Sequence, residues 1–320
     1  MPLAAMLHQC GPPDRGVCLA DEPDPGAPGP AEIVVDMRLA PINPADLLVI
    51  AGNYGSVTEL PARLGAEGTG VVTQAGAATH FNPGDAVLPL VRGCWSQRLR
   101  LPAHAVVPVP PGLSPTQAAT LRINPATARR LLATAPLQPG DFVIQNAGGS
   151  MVGRCVAILA AALGLRCCSI VRNPATLSPA PGEIVVQDSE DLAPRVTAAT
   201  GGAPIGLALD CVAGAATGRL AACLAPGGTL TVYGHLSGNP CEIPSTLLTT
   251  RGLVIRGFSL RPAEAASTHA ELAAFYRELA FTLRDFTAPI AATYKFRDLH
   301  VALRHAAEPG RHGKILLDLT

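Results

Sequence analysis

The residues with the clearest chemical pattern in this 320-residue sequence are the glycines of a short turn. The run Asn146-Ala147-Gly148-Gly149-Ser150 follows the apolar residues 142–144, and Gly153 comes three residues later. Glycines let a backbone approach a diphosphate closely, and the amides that open a helix attract its charge. A complete G-x-G-x-x-G pattern would have glycine at position 150, where this chain has serine. The turn indicates nucleotide binding, with an ordinary tight strand-to-helix connection as the alternative.

A cation follows the next apolar run. Units that bind NAD usually end their second strand with Asp or Glu, which binds the ribose hydroxyls. This chain has Arg172 there, followed by Asn173. Because a guanidinium suits the 2′-phosphate of NADP, Arg172 favours NADP(H) over NAD(H). A solvated surface arginine is the alternative.

A strand, a helix and a second strand are needed to hold these residues. Residues 151–163 are apolar almost all round and rich in alanine, which is typical of a helix packed on a sheet. Gly164 stands where a helix C-cap favours positive φ. Cys167–Val171 forms the expected second strand. A helix between two such strands predicts a right-handed parallel crossover.

Composition excludes several classes of function. The chain has 24 basic and 24 acidic residues, so its balanced charge argues against nucleic acid or an anionic membrane as a partner. No apolar run reaches the length of about 18 residues that a membrane span requires. The first residues lack the pattern of a signal or transit peptide. The nine cysteines are scattered without a C-x-x-C pair. We therefore expect a cytoplasmic protein with reduced thiols.

The order of patterns predicts a domain organisation of 1–121, 122–262 and 263–320. Residues 1–121 contain short strands separated by Gly/Pro turns, which is typical of a β-rich barrel-like unit. From residue 122 the apolar runs are nearly continuous, as in parallel strands buried on both faces. Residues 263–286 have the pattern of one long amphipathic helix, and 290–320 return to short strands. The last segment is expected to rejoin the first.

Several sequence motifs, in the same order, resemble those of the medium-chain dehydrogenase/reductase superfamily, and within it the mitochondrial-type 2-enoyl thioester reductases. The resemblance covers nearly the whole chain. It implies an α/β protein with a GroES-like β-rich catalytic domain and a Rossmann domain with a doubly wound parallel sheet. The motifs are Ile42–Asp46, Gly52–Gly55, Ile123–Ala128, Leu137–Asp141, Val143–Ala147, Ala161–Arg166, Tyr233-Gly234 and Arg256–Phe258.

The zinc-dependent members of this superfamily differ from this chain in their metal ligands. They have a His in a Gly-His-Glu motif, where this chain has Gly65-Ala66-Glu67, and a Cys in the region that corresponds to 43–48, where this chain has none. Because zinc requires a tetrahedral set of N and S ligands, the sequence predicts no metal site.

The resemblance implies reduction of an α,β-unsaturated thioester, a trans-2-enoyl-CoA or an enoyl carrier protein. NADPH adds a hydride to the β-carbon and a proton returns to the α-carbon. Tyr54, inside Gly52–Gly55, matches the family's proton-donating tyrosine. A phenol is a suitable acid because its O–H stabilises developing negative charge before the proton transfers. A tyrosine that lines a turn and meets water is the alternative.

The resemblance also implies a set of cofactor-binding residues. Asn124 matches a cofactor-contacting asparagine, and Arg172 matches the 2′-phosphate position. Lys314 is expected to reach the cofactor from the tail, with a solvated lysine as the alternative. The remaining positions belong to the diphosphate turn, to the end of a later strand and to the nicotinamide region: Gly149, Ser150, Met151, Val152, Tyr233, Gly234, His235, Leu236, Phe258, Ser259 and Leu260.

Three residues or segments depart from the family pattern. Ser259 replaces a tryptophan, and this smaller residue should widen or polarise the mouth of the substrate pocket. A proline-rich loop follows Arg172 in place of the family's basic cluster and helix, which weakens the expected preference for NADP. Arg122 stands where the family has a small or apolar residue. One hypothesis is that Arg122 points into the cleft and binds an anionic group of the substrate; a solvent-facing arginine is the alternative.

Two other functions fit the same pattern. A quinone or enone reductase of the superfamily would share the fold and the cofactor but would need no proton donor at Tyr54. A non-catalytic NADPH-binding protein is the third possibility.

The resemblance further implies a homodimer that pairs through the apolar edge strand Leu253–Phe258, since a bare apolar edge invites aggregation.

Overall fold

The structure is a computed structural model that describes residues 1–54 and 59–320. It divides into two compact units. Unit 1 comprises Met1–Ile123 and Ser267–Thr320, and unit 2 comprises Asn124–Ala266. Relative to the boundaries expected from the sequence, residues 122–123 belong to unit 1 and residues 263–266 to unit 2. Among the described residues, no helix is long and apolar enough to cross a membrane.

The helices and strands have the following bounds. The first segment of unit 1 contains β1 Leu3–Leu7, α1 Pro13–Gly16, β2 Val17–Asp21, β3 Glu32–Ile42, α2 Pro44–Ile50, β4 Ala62–Arg63, β5 Thr69–Ala75, β6 Ala86–Pro89, β7 Arg98–Pro102, β8 Val106–Pro108 and α3 Pro115–Ala119. Unit 2 contains α4 Asn124–Leu131, β9 Phe142–Gln145, α5 Met151–Ala162, β10 Arg166–Val171, β11 Ile184–Gln187, α6 Leu192–Thr200, β12 Ile205–Asp210, α7 Ala215–Ala222, β13 Thr229–Val232, α8 Ser245–Arg251, β14 Val254–Gly257 and α9 Leu260–Ala265. The tail contains α10 His269–Thr282, β15 Ile290–Lys295, α11 Leu299–Ala307 and β16 Lys314–Asp318.

Unit 2, all of whose residues are described, is built on a six-stranded parallel sheet in the order β11-β10-β9-β12-β13-β14. The order reverses between β9 and β12, so the chain winds outward in both directions from the centre. Strands β9, β10 and β12 are almost wholly buried, as their composition predicts, whereas the edge strand β14 is exposed. Cys155, Cys167 and Cys168 are buried in this unit. Because the strands are parallel, the residues that follow them meet at one edge of the sheet.

Unit 1 is formed mainly by antiparallel strands. In its described part, one sheet has the order β15-β16-β3-β5-β6-β8, with β7 also paired to β3. A smaller sheet has the order β2-β1-β4. The 11-residue strand β3 is central, and its alternating residues Ile33, Val35 and Met37 are buried in a core with Trp95. The tail returns to this unit through β16, which pairs antiparallel with β3.

Two elements of the tail differ from the prediction. The expected single helix over 263–286 is two helices, because α9 ends at Ala265 and Thr268 caps the start of α10. The Thr268 side chain accepts from the amide of Glu271 and the Glu271 carboxylate accepts from the amide of Thr268. The helix α11 was not predicted, although Leu299, Ala302 and Leu303 have helical spacing and are buried. The helix α3 begins with a cap, in which the Ser114 hydroxyl accepts from the amide of Gln117.

Candidate functional site

The glycine turn after β9 opens the helix α5. Ser150 is its N-cap, and the Ser150 hydroxyl accepts from the amide of Gly153 at 3.1 Å. The amides of Met151 and Val152 belong to the first turn and have no acceptor within the helix. A Cβ built on Gly149 would meet no atom within 4 Å. The turn therefore offers amide donors beside open space, which fits a diphosphate.

Two neighbouring glycines are required by packing. A Cβ on Gly148 would lie 2.6 Å from the Cβ of Ser169, and one on Gly153 would lie 2.7 Å from the carbonyl oxygens of Ala147 and Gly148. Non-bonded carbon and oxygen atoms do not approach this closely, so a side chain at either position would clash. Only glycine lets the helix pack this close to the strands. Serine at position 150 departs from the glycine pattern but serves the same turn as a helix cap.

The other predicted cofactor residues of unit 2 follow three strands at the same edge of the sheet. Arg172 follows β10 and is exposed. Residues 233–236 follow β13, and the segment Phe258–Leu260 follows β14, where the amide of Phe258 donates to the Val232 carbonyl. The structure thus gathers the diphosphate turn, Arg172, Tyr233–Leu236 and Phe258–Leu260 along one edge. Asn124 belongs to the same unit as the first residue of α4 and is buried.

The segment after β13 approaches the segment after β12 closely. A Cβ on Gly234 would lie 2.6 Å from the carbonyl oxygen of Cys211, and the amide of Leu236 donates to that oxygen at 3.1 Å. Burial, together with the adjacent Cys211 thiol, raises the pKa of Tyr233 well above its ordinary value. The hydroxyl oxygen of Tyr233 is buried, although the residue as a whole is half-buried, so the phenol stays protonated.

A polar network that the sequence did not reveal fixes this edge. Asp210, the last residue of β12, is completely buried. Its carboxylate accepts from Asn146 Nδ2 at 2.6 Å, from the amides of Val212 and Ala213, and from the hydroxyl of Thr217 at 2.6 Å. An aspartate at the end of an otherwise apolar strand was the available signal. The network positions the turns that follow β9 and β12.

Tyr54 lies in unit 1, just after α2. Gly52 has φ of 78°, and the amide of Asn53 donates to the Leu48 carbonyl at 2.9 Å, which closes the helix with a left-handed turn. This turn fixes the direction in which the chain leaves α2. Tyr54 is 38% exposed. The guanidinium of Arg92 lies 5.8 Å from the centroid of its ring. Gly55, which completes the predicted motif, lies outside the described residues.

A buried cluster of charged and polar side chains anchors the other end of α2. The Asn43 side chain accepts from the ammonium of Lys314 and donates to Glu67 at 2.8 Å. The Asp46 carboxylate accepts from the amides of Asn43 and Ala66. Burial raises the pKa of Asp46 to about 6 and also raises that of Glu67. The structure thus engages Lys314 inside unit 1, and its predicted contact with the cofactor stays a prediction.

Comparisons with known proteins match both parts of this arrangement. Residues 29–111 match the family described as alcohol dehydrogenase GroES-like domain, and residues 151–275 match the family described as zinc-binding dehydrogenase. The human enoyl-acyl-carrier-protein reductase, mitochondrial, is 35% identical over 307 residues, which cover 90% of this chain and 81% of the relative. The chain belongs to the medium-chain dehydrogenase/reductase superfamily. The predicted GroES-like and Rossmann folds are thereby confirmed.

Solved structures share the fold of this medium-chain oxidoreductase over nearly its whole length. A quinone oxidoreductase of Pseudomonas syringae is 25% identical with a TM-score of 0.85, and the match covers 99% of this chain and 100% of that one. The complex of Etr1p with NADP and crotonyl-CoA is 22% identical with a TM-score of 0.85 over 99% of both chains. At that identity the second likeness shows the fold alone. The superfamily uses NAD(P)H.

The zinc named in one family description does not fit the donors that this superfamily member presents. Ala66 occupies the expected histidine position, and its amide donates to Asp46. The two oxygens of Glu67 accept from Asn43 and from the amide of Ile123. Among the described residues, no group of three or more His, Cys, Asp or Glu side chains could hold a metal ion.

The hypothesis that Arg122 binds an anionic substrate group is wrong. Arg122 is buried, and its guanidinium donates to the carbonyls of Ala66, Leu90 and Val91 at 2.7–3.1 Å. These contacts hold the segment after β6 against the segment before β5. Its charge also faces Glu67. The role of Arg122 in this medium-chain oxidoreductase is therefore to hold the backbone of unit 1 together.

Proposed function

We propose that this oxidoreductase is an NADPH-dependent reductase of α,β-unsaturated thioesters, either trans-2-enoyl-CoA or an enoyl carrier protein. The observation that carries the proposal is the position of Tyr54. It lies partly exposed at the end of a capped and anchored helix, within the motif that matches the proton donor of the enoyl reductases. The 35% identity to the human enoyl-acyl-carrier-protein reductase supports the same activity.

NADPH, when bound, supplies the hydride, and residues of unit 2 would hold it. The amides of Met151 and Val152 and the open space at Gly149 suit the diphosphate. The exposed guanidinium of Arg172 suits the 2′-phosphate because it presents several donors to an oxyanion. Residues Tyr233–Leu236 and Phe258–Leu260, at the ends of β13 and β14, would line the nicotinamide end, and Asn124 would contact the same region.

Tyr54 would complete the reaction as the acid. Addition of a hydride to the β-carbon places negative charge on the thioester oxygen and the α-carbon. The phenol O–H stabilises this charge by a hydrogen bond and then donates its proton to the α-carbon. The turn at Gly52 fixes the backbone ahead of Tyr54. The phenol can therefore be held in one place while it stays accessible to a substrate.

The experiment that tests the activity follows the absorbance of the reduced nicotinamide with a panel of acceptors. The panel contains a trans-2-butenoyl thioester, a simple enone and a quinone, each with NADPH and with NADH. The proposal expects the thioester to give the largest kcat/KM, with NADPH preferred over NADH. It fails if the thioester is not reduced at a rate above that of the enone and the quinone.

A quinone oxidoreductase is the second candidate. The Pseudomonas syringae quinone oxidoreductase, with a TM-score of 0.85, is the observation that favours it. The exposed Ser259, where the enoyl reductases have tryptophan, would leave more room at the nicotinamide end. Faster turnover with the quinone would support this candidate. NADPH binding without turnover of any acceptor would instead support a non-catalytic binding protein. The homodimer and the cytoplasmic location stay predictions.

A further inference from the structure

Arg92 projects from a backbone that is held on both sides. The amide of Leu90 donates to the Ala105 carbonyl at 2.8 Å, and the amide of Gly93 donates to the Gly65 carbonyl at 2.9 Å. The Arg122 guanidinium donates to the carbonyls of Leu90 and Val91. The backbone around Arg92 is therefore fixed within unit 1, and so is the direction in which its side chain leaves.

The guanidinium of Arg92 lies beside the ring of Tyr54. Its carbon is 5.8 Å from the Tyr54 ring centroid, and the residue is half-buried. In the described part of the chain Arg92 forms no ion pair of the kind that fixes Arg98 or Arg219. The acid whose charge it faces is Asp46, and both Asp46 oxygens already accept from backbone amides.

We infer that Arg92 binds an oxyanion of the substrate next to Tyr54, a carboxylate on the acyl group or a phosphate on the thioester carrier. The inference rests on the proposed thioester reductase activity. A guanidinium over an aromatic ring keeps its N–H donors in its own plane, where they can bind a carboxylate or phosphate through two parallel hydrogen bonds. Arg92 thus takes the role that the sequence suggested for Arg122, whose donors are used on carbonyl groups.

The test compares three thioesters of the same enoyl core. The first is a trans-2-butenoyl N-acetylcysteamine thioester, which carries no anion. The second is the same acyl group on CoA, which adds phosphates. The third is an N-acetylcysteamine thioester whose acyl chain ends in a carboxylate. The enzymes are wild type, Arg92→Met, Arg92→Lys and the control Arg38→Met, which removes an exposed arginine from β3 of the same unit.

Arg92→Met should raise KM about tenfold or more for the thioester whose oxyanion Arg92 binds, because charged hydrogen bonds are lost. The KM for the neutral thioester should change by no more than about twofold. Arg92→Lys should restore part of the lost affinity for the anionic thioester because it keeps the charge. An effect on the CoA thioester alone identifies a phosphate as the oxyanion, and one on the acidic acyl chain identifies a carboxylate.

Two outcomes would overturn the inference while the proposed activity stands. One is an equal fall in kcat on all three thioesters, which would mean that Arg92 only positions Tyr54. The other is an effect on every thioester no larger than that of Arg38→Met. If wild type reduces none of the three thioesters, the proposed activity is itself wrong and the inference falls with it.

Discussion

Asn146 donates from Nδ2 to the buried carboxylate of Asp210 at 2.6 Å, and this bond joins the ends of β9 and β12. The side-chain oxygen Oδ1 of Asn146 accepts in turn from the amide of Cys211 at 2.7 Å. These two strands flank the point where the sheet reverses its order, which is where dinucleotides bind in such sheets. The relationship therefore fixes the shape of the edge that carries the candidate cofactor residues.

Asp210→Ala should destabilise unit 2 strongly. The substitution leaves four donors in the protein interior without their acceptor, including Asn146 Nδ2 and the Thr217 hydroxyl. We expect the free energy of unfolding to fall by about 3 kcal/mol or more. The control Asp188→Ala removes a partly exposed ion pair with Arg219 and should cost about 1 kcal/mol or less. Urea denaturation measures both, and equal losses would contradict the account.

Two adjacent glycines should respond differently to alanine. Gly148→Ala places its Cβ 2.6 Å from the Cβ of Ser169, so it should lower the free energy of unfolding by about 1–3 kcal/mol. Gly149→Ala meets nothing within 4 Å and should leave stability nearly unchanged, yet weaken NADPH binding because its methyl group enters the space for the diphosphate. Thermal unfolding and a fluorescence titration with NADPH separate the two effects. Tight NADPH binding by Gly149→Ala would argue against a diphosphate at this turn.

The sequence predicted most of unit 2 because its signals are local. Continuous apolar runs identified the strands, and the glycine turn identified the start of α5. The cluster of Asp46, Glu67 and Lys314 could not be obtained in this way, because the contacts that bring it together join residues 20 to 271 positions apart. For the same reason Arg122 looked like a substrate-binding cation, although its acceptors lie on carbonyls 31 to 56 residues away.

The helical tail shows a second limit. Residues 263–286 have a continuous amphipathic pattern. The break before α10 depends on the cap that Thr268 forms with Glu271. A Thr and a Glu three residues apart also occur within unbroken surface helices, so the pair alone did not predict a break. The β1 and β2 strands at the N-terminus pair with each other and were not predicted, because Gly and Pro residues separate short apolar runs there.

Stability should fall as pH rises through the range in which Asp46 ionises. Burial raises its pKa to about 6, above an ordinary aspartate value near 4, so the folded state holds the proton more tightly than the unfolded state. The stabilising contribution of Asp46 to the free energy of unfolding amounts to about 3 kcal/mol. It is complete below about pH 4 and is lost as the pH rises to about 6. Glu67 acts in the same direction. The pKa of Asp318 is lowered to about 2, so its ionised form stabilises the fold. That stabilisation is lost only as the pH falls below about 4, outside the range in which Asp46 ionises.

The measurement for Asp46 is urea unfolding between pH 4 and pH 7. Asp46→Asn, which cannot ionise, should reduce the decline of the unfolding free energy across this range. Asp21→Asn, at the exposed end of β2, should leave the decline unchanged. A decline of the same size in all three proteins would show that Asp46 does not ionise in this window.

The edge strand β14 should pair two copies of the chain. Val254 and Ile255 are 51% and 37% exposed, and β14 is the last strand of its sheet. An exposed apolar edge is suited to pairing with another strand. Ile255→Lys should convert the expected dimer into monomer in light scattering, whereas Val301→Lys, on the exposed face of α11, should not. A wild-type monomer would contradict the prediction.

The central claim is that Tyr54 donates the proton in an NADPH-dependent reduction. The most direct measurement is the steady-state rate of NADPH oxidation with a trans-2-butenoyl thioester, for wild type and for Tyr54→Phe. The account predicts that kcat falls by about 100-fold or more, as expected for loss of a general acid, while the Kd for NADPH changes by less than about twofold. A Tyr54→Phe enzyme that reduces the thioester at the wild-type rate would contradict it.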